Sequence, residues 1–414
     1  HPSKNDQEEV WSKILFSNPI SRSSLKASQE DHEIEKGFED AFDLDPSLPG
    51  LILVGPWRGN NNGLKGFNNV LSLWQQMCGW PIFADPLSGL HSSHSGIIYN
   101  WELLLNSGLS ISQYELQVLR LGPLTTSKAL EEFLSKSKKE QLLIKERDKR
   151  NLDPFGTAKQ YNYGFVEWSQ IRQNKINQSY LSSCSIIRDE FIDWTLKDQI
   201  VDRILDEYLP LKGSITEPSL ARWLPRLLPK EVSIMLASSS PVRDFLSYSG
   251  KGNMSRRFYG FRGASGIDGT LSLAMGLSIP LANPLVLVTG DLALLHDSNG
   301  WLLSNFIDTP LVVILIDNGG GGIFSRLLIE SSSCSDFVRL FSMPQNVDQL
   351  VLGDAYGIPG RQIACLEDLG YALEWALSKS CPVLLRVCTN PSSDLALRRN
   401  IEKELKKQIS FNYS

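Results

Sequence analysis

Histidine is scarce, with five in 414 residues, and the six cysteines (Cys78, Cys184, Cys334, Cys365, Cys381, Cys388) form no C-x-x-C pair. This excludes the spacing of a zinc site or a disulfide framework, and the cysteines are expected to be reduced and structural. His91 and His94 have no third ligand near them in sequence, so they read as a surface turn; His296 is given no role. Basic charge is not in excess either: 41 Lys and Arg against 46 Asp and Glu leave a net charge of -5, with no long basic run. Nucleic acid is therefore not an expected partner. No stretch reaches the roughly 18 uninterrupted apolar residues of a membrane span, and the first thirty positions lack the apolar core of a signal peptide. No membrane association and a cytoplasmic location are expected. Repeats and low-complexity tracts are also missing. The chain opens on His1 rather than Met, so it is expected to be processed or a piece of something longer.

What is present is an apolar fraction of 42%, enough to bury cores, in a length that suggests two or three domains at roughly 100 to 200 residues each. Short apolar runs at 51–54, 81–83, 116–121 and 141–144 read as strands, and helical spacing appears at 64–77, 97–105 and 127–134. Strands alternating with helices predict a parallel α/β layer. The pattern breaks into Gly, Asn, Gln and Tyr-rich sequence at 151–177, and a long amphipathic stretch covers 188–209. A domain boundary is expected near 180, giving domains 1–180 and 181–414. In the second, strands are expected at 232–237, 285–289, 311–316 and 383–387. Helices are expected at 216–228, 264–277, 301–306, 366–377 and 392–407.

In an open parallel sheet ligands sit beyond the carboxyl ends of the strands. Three such ends are chemically rich: Ser238-Ser239-Ser240 and Arg243; Gly290-Asp291; and Asp317-Asn318 followed by four glycines, Gly319 to Gly322. A carboxylate, an amide oxygen and glycine carbonyls are hard oxygen ligands suited to Mg²⁺ held with a phosphate, and glycine lets backbone approach phosphate closely. The segment from Arg262 to Gly269 leads into a helix whose free amides favour an anion, although a tight packing turn explains such a segment equally well.

Gly290-Asp291-Leu292 and Asn318, with 26 residues between Asp291 and Asn318, resemble the fingerprint of the thiamine diphosphate enzymes. The wider wording is more specific: SPVRD at 240–244, RGASGIDG at 262–269, GDLALLHDSN at 290–299, NGGGGIFS at 318–325 and MPQN at 343–346, with weaker similarity in GWP at 79–81 and LGPLTTSK at 121–128. Together these resemble the 2-succinyl-5-enolpyruvyl-6-hydroxy-3-cyclohexene-1-carboxylate synthases of menaquinone and phylloquinone biosynthesis. The resemblance implies two parallel-sheet α/β domains, a central one and a diphosphate-binding one, in a transferase using thiamine diphosphate and Mg²⁺ or Mn²⁺. Such an enzyme decarboxylates 2-oxoglutarate and adds the succinyl carbanion equivalent to isochorismate. It further implies Asp291, Asn318 and the Gly320 carbonyl as metal ligands, and Gly290, Leu292 and Gly319 beside the diphosphate. Ile267 would be the apolar wedge under the cofactor, with Ile323 and Phe324 lining its pocket. Ser239, Arg243, Arg262 and Lys128 would bind substrate carboxylates, for which Arg offers a bidentate fork.

One family module finds no match: the pyrimidine-binding domain, whose glutamate activates the cofactor. No acidic residue here can be given that role, so the chain is expected to be incomplete and inactive alone, and to act as a homo-oligomer once complete. Two other readings stand beside this one. The chain could be a non-catalytic cofactor-binding module or pseudoenzyme subunit, although its joint retention of metal ligands and substrate cations favours descent from a working enzyme. Alternatively, Gly55-Pro56-Trp57-Arg58-Gly59 after a strand could serve a nicotinamide-dependent oxidoreductase, with a structural turn as the default.

Overall fold

The computed structural model describes residues 44–90, 94–109, 115–173, 185–254, 256–261, 265–326 and 337–410. Two all-parallel sheets follow one another along the chain. The first contains β1 (Gly50–Val54), β2 (Ile82–Ala84), β3 (Gln117–Leu121), β4 (Gln141–Ile144) and β5 (Lys159–Tyr161), in the order β2-β1-β3-β4-β5. The second contains β6 (Ser233–Leu236), β7 (Phe258–Tyr259), β8 (Leu285–Gly290), β9 (Leu311–Asp317), β10 (Gly360–Ile363) and β11 (Val383–Cys388), in the order β10-β11-β9-β8-β6-β7. The expected two-domain α/β architecture is present. The boundary expected near 180 lies outside the described residues.

All eight apolar runs are strands. The three strands without a sequence signal, β5, β7 and β10, are sheet edges. An edge strand is not sandwiched between layers, so it needs no continuous apolar run, and Lys159-Gln160-Tyr161 has none. Two helices start later than expected: the run placed at 264–277 is helical only from Thr270 to Ser278, because Gly269 at φ 66 breaks it ahead of Thr270, and the run at 97–105 is helical only over Trp101–Asn106, Ile97 bridging Ile82 instead.

The strands alternate between two burial layers, as a two-residue period requires. Leu51 and Leu53 of β1, with Val312, Ile314 and Ile316 of β9, face one core shared by both sheets. Trp101, Trp194 and Leu205 fill it between them. The opposite faces are covered separately: Ile52 and Val54 enter a core with Phe67, Trp74 and Phe165, and Val313 and Leu315 enter one with Leu271, Met275 and Trp301. Because every strand runs the same way, each sheet presents all its carboxyl ends along one edge. In both sheets the strand order reverses beside the first strand, between β1 and β3 and between β6 and β8, which are the places where a doubly wound sheet opens a crevice.

Helix Glu217–Leu227, which precedes β6, is anchored at both ends. Thr216 and Ser219 form a capping box at its start, and Arg256 closes its other end by donating to the carbonyls of Leu228, Pro229 and Val232.

Candidate functional site

The crevice of the first sheet is nearly full. Gly55, directly after β1, donates its N–H to the Leu121 carbonyl at 2.9 Å, and a Cβ on it would lie 1.7 Å from the Pro123 carbonyl oxygen. The remaining cavity measures about 10 Å³, room for one water molecule. Beneath it Arg120, 1% exposed, donates to Asp153 at 2.9 Å. Burial works to raise Asp153, but hydrogen bonds from Ala158 and Arg120, with the Arg120 charge, hold its carboxyl below the usual range. Gly59 lets the Trp57 ring fold over the turn, since a Cβ there would meet it at 2.3 Å. The 55–59 turn therefore packs, and the cavity beside Gly55 among the described residues is far too small for a nucleotide.

The second crevice is built differently. Gly290 ends β8, and Asp291 opens helix Asp291–His296. The Asp291 carboxylate is largely buried; Oδ2 accepts from Gly320 N–H and Oδ1 from Leu292 N–H, both at 2.7 Å. Burial, with the negative charge of Asp317 adding to it, raises Asp291 against those hydrogen bonds. Gln349 supports the same residue from behind by donating to its carbonyl at 3.0 Å. A cavity of about 270 Å³, bordered by Asp317, Gly319, Asn346 and Arg386, opens beside Asp291.

The glycine run after β9 allows a close backbone approach. Gly320 has φ 121, and a Cβ on it would lie 1.9 Å from the Ser342 carbonyl oxygen; one on Gly321 would lie 2.1 Å from that of Phe341. Gly319, at φ 80, has open space where its Cβ would stand. At the head of the run, Asn318 Nδ2 donates to Glu217 Oε1 at 2.7 Å, while its Oδ1 is buried without a hydrogen-bond partner. An orphaned amide oxygen, two residues before a glycine whose N–H meets a buried carboxylate, fits a divalent cation. Among the described residues no group of three His, Cys, Asp or Glu side chains could hold a metal. A cation held by Asp291, Asn318 and Gly320 would thus take its remaining ligands from phosphate and water, as Mg²⁺ usually does.

Ser239 follows β6 and takes φ 74, a strained value for a non-glycine residue. Its carbonyl accepts from Arg243 Nη1 at 2.8 Å, one turn into helix Ser240–Tyr248. Ile267 and Phe324 are 39% and 37% exposed and Ile323 is half-buried, so none of the three is a core residue. The Phe324 ring meets Phe341 edge-on at 5.5 Å. Arg262 and His91 lie outside the described residues. Lys128 begins helix Lys128–Lys136 on the first sheet, is exposed, and forms no hydrogen bond or ion pair among the described residues. Contacts in the structure bring Asp291, Asn318, Gly319 and Gly320 together; none joins Lys128 to them.

A buried charged cluster behind the site carried no signal in the sequence. Arg398, from helix Pro391–Ser410, donates to both oxygens of Asp244 at 2.6 and 2.9 Å and to Glu217 Oε2 at 3.2 Å. Arg326 Nη2 reaches the same Glu217 oxygen at 3.3 Å and Asp244 at 3.1 Å. The Glu217 N–H donates to Asp394 at 3.0 Å. Burial first, then the charge of Asp244, pushes Glu217 up to about 7, and burial above all pushes Asp394 up to about 6. The members come from four separate elements, Asp394 and Arg398 sharing helix Pro391–Ser410, and Arg398 stands among mixed charges that read as solvated. Only the fold shows that they meet.

Comparisons with known proteins agree with this geometry. Residues 247–387 match the family model described as thiamine pyrophosphate enzyme, C-terminal TPP binding domain. A 2-succinyl-5-enolpyruvyl-6-hydroxy-3-cyclohexene-1-carboxylate synthase from Prochlorococcus marinus (strain MIT 9313) is 49% identical over 98% of this chain and 70% of its own length. The enzyme of that name from Synechococcus sp. (strain CC9311) is 45% identical over 100% of this chain and 71% of its own. Among solved structures, a Mycobacterium smegmatis protein described as a thiamin diphosphate-dependent enzyme superposes with a TM-score of 0.53. It shares 14% identity and covers 83% of this chain and 62% of its own, a likeness of fold.

Proposed function

Because the chain belongs to the family of 2-succinyl-5-enolpyruvyl-6-hydroxy-3-cyclohexene-1-carboxylate synthases, the thiamine diphosphate-dependent transferases, we propose that its second sheet holds the diphosphate end of that cofactor through Mg²⁺ or Mn²⁺. The observation that carries this reading is the unpartnered Asn318 Oδ1, two residues before Gly320, whose N–H meets the Asp291 carboxylate. When bound, the cofactor supplies the electron sink for decarboxylating 2-oxoglutarate and for adding the resulting succinyl unit to isochorismate. The chain's own residues bind and orient. Asp291 and Asn318 fix the metal, Gly290, Leu292 and Gly319 admit the diphosphate, and Ile267, Ile323 and Phe324 provide an apolar wall. Ser239, Arg243, Arg262 and Lys128 neutralise substrate carboxylates, two dicarboxylates needing several cations.

The activating glutamate is proposed to come from a pyrimidine-binding module that residues 1–414 do not supply. In support, the carboxylates around the described site are committed elsewhere: Asp291 to backbone amides, Glu217 and Asp244 to arginines, Asp394 to a backbone N–H and Asp317 to Arg386. We further propose that the complete enzyme is a homo-oligomer in the cytoplasm. Exposed Ile279, Leu302 and Phe306, on neighbouring elements, offer apolar surface for such an assembly; among the described residues no helix is long and apolar enough to cross a membrane. Assaying purified residues 1–414 with both substrates, cofactor and Mg²⁺ tests the account. No product is expected, and turnover by this chain alone would overturn the need for an outside glutamate.

A further inference from the structure

An amide ligand has one useful end. The oxygen of Asn318 can bind a cation, whereas its nitrogen repels one, so something must decide which way round the group sits. Among the described residues the side-chain partner of that amide is Glu217, whose Oε1 accepts from Nδ2 at 2.7 Å. In its ionised form Glu217 offers acceptors alone, so it selects the NH₂ end and leaves Oδ1 facing away, buried and unpartnered. Glu217 is itself fixed: it is 5% exposed at the first turn of helix Glu217–Leu227, and its other oxygen faces Arg398 at 3.2 Å and Arg326 at 3.3 Å. Through Asn318 and Arg326 it touches both ends of the loop that contains Gly320, Ile323 and Phe324.

We propose that Glu217 is the positioning residue of the metal site, orienting the Asn318 amide so that its oxygen is presented to the cation. This rests on the reading of Asn318 as a metal ligand. The proposal predicts an unusual pattern of substitutions. In Glu217→Gln the two guanidinium groups hold the new amide oxygen, its NH₂ turns to Asn318, and the Asn318 amide must flip to present nitrogen to the cation. In Asn318→Asp both ends are oxygen, so orientation no longer matters, but beside an intact Glu217 two carboxylates face each other.

The test is Mn²⁺ binding to the full chain with thiamine diphosphate at pH 8, followed by electron paramagnetic resonance of free Mn²⁺. We expect Glu217→Gln to weaken binding at least tenfold, Asn318→Asp to weaken it, and the double substitution to return to within about threefold of the unsubstituted chain. A general loosening of structure would make the double variant no better than either single one, and that result overturns the proposal. So does unchanged binding by Glu217→Gln. If Glu217→Gln does not fold, Asn318→Asp alone still decides, since binding equal to or tighter than that of the unsubstituted chain contradicts a facing carboxylate. If the unsubstituted chain binds no Mn²⁺, the metal reading itself fails and the proposal with it; binding without coupling removes only the role of Glu217.

Discussion

Beyond β1 and β3, Gly55 lets the backbone close onto Pro123 until about 10 Å³ is left, and a buried Arg120–Asp153 pair seals the floor. In the second sheet the strand ends next to the same reversal, those of β8 and β9, carry Asp291, an unpartnered Asn318 oxygen and a cavity of about 270 Å³. Strand order thus makes a crevice available twice and assigns it a task neither time. The difference lies in a few residues after each strand. In the first sheet glycine lets the backbone close the space and Arg120 neutralises Asp153, though its Nε and Nη2 have no hydrogen-bond partner; in the second, an unpartnered oxygen stands near an open cavity and a glycine run leaves room beside it.

The largest effect that would sharpen this contrast is expected at Arg120. Arg120→Met strands the buried Asp153 charge and should cost about 4 kcal/mol in chemical denaturation, since breaking one partner of a buried pair exceeds its net worth. Cofactor affinity measured on the folded protein should not move; a parallel loss of binding would break the division of labour between the sheets.

Titration should separate the sheets next. Asp394, at about 6 in the folded state against its ordinary 3.8, keeps a proton there that the unfolded chain has released. Its contribution to stability is fully present below pH 3.8 and is lost as pH rises through 6. Asp394→Asn should therefore gain about 3 kcal/mol on the parent between pH 3 and pH 8, read from denaturation curves at each pH. Asp153, held low, behaves oppositely: its contribution is present above the usual aspartate range and is lost as pH falls. A parent that gains as much stability as Asp394→Asn over the rise in pH contradicts this assignment.

The smallest effects concern the glycines. Gly55→Ala drives a Cβ into the Pro123 carbonyl and should cost about 2 kcal/mol. Gly319→Ala meets open space and should cost only about 1 kcal/mol, from its positive φ. Equal costs would mean that the second crevice is packed after all.

Sequence showed the seven strands that lie within the sheets, because a buried parallel strand must be apolar throughout, and the short apolar edge strand β2; it also marked 291, 318 and 320 as proposed ligands, because their spacing is written along one stretch of chain. It did not show β5, β7 and β10, whose edge positions relax that demand. Nor did it show Glu217, Asp244, Asp394 and Arg398. Glu217 and Arg398 are 181 positions apart and each is ordinary where it stands, a first-turn glutamate and a helix arginine. Their roles arise only when packing removes water from around them.

The central claim is that the second crevice, and not the first, holds a metal diphosphate through Asp291. Calorimetric titration of thiamine diphosphate into the chain and into Asp291→Ala, with Mg²⁺ and with chelator, tests it most directly. The account predicts Mg²⁺-dependent binding that weakens about 100-fold in Asp291→Ala, a loss at least that of removing a residue that merely supports a metal ligand. Binding that ignores Mg²⁺, or that survives Asp291→Ala unchanged, would contradict it.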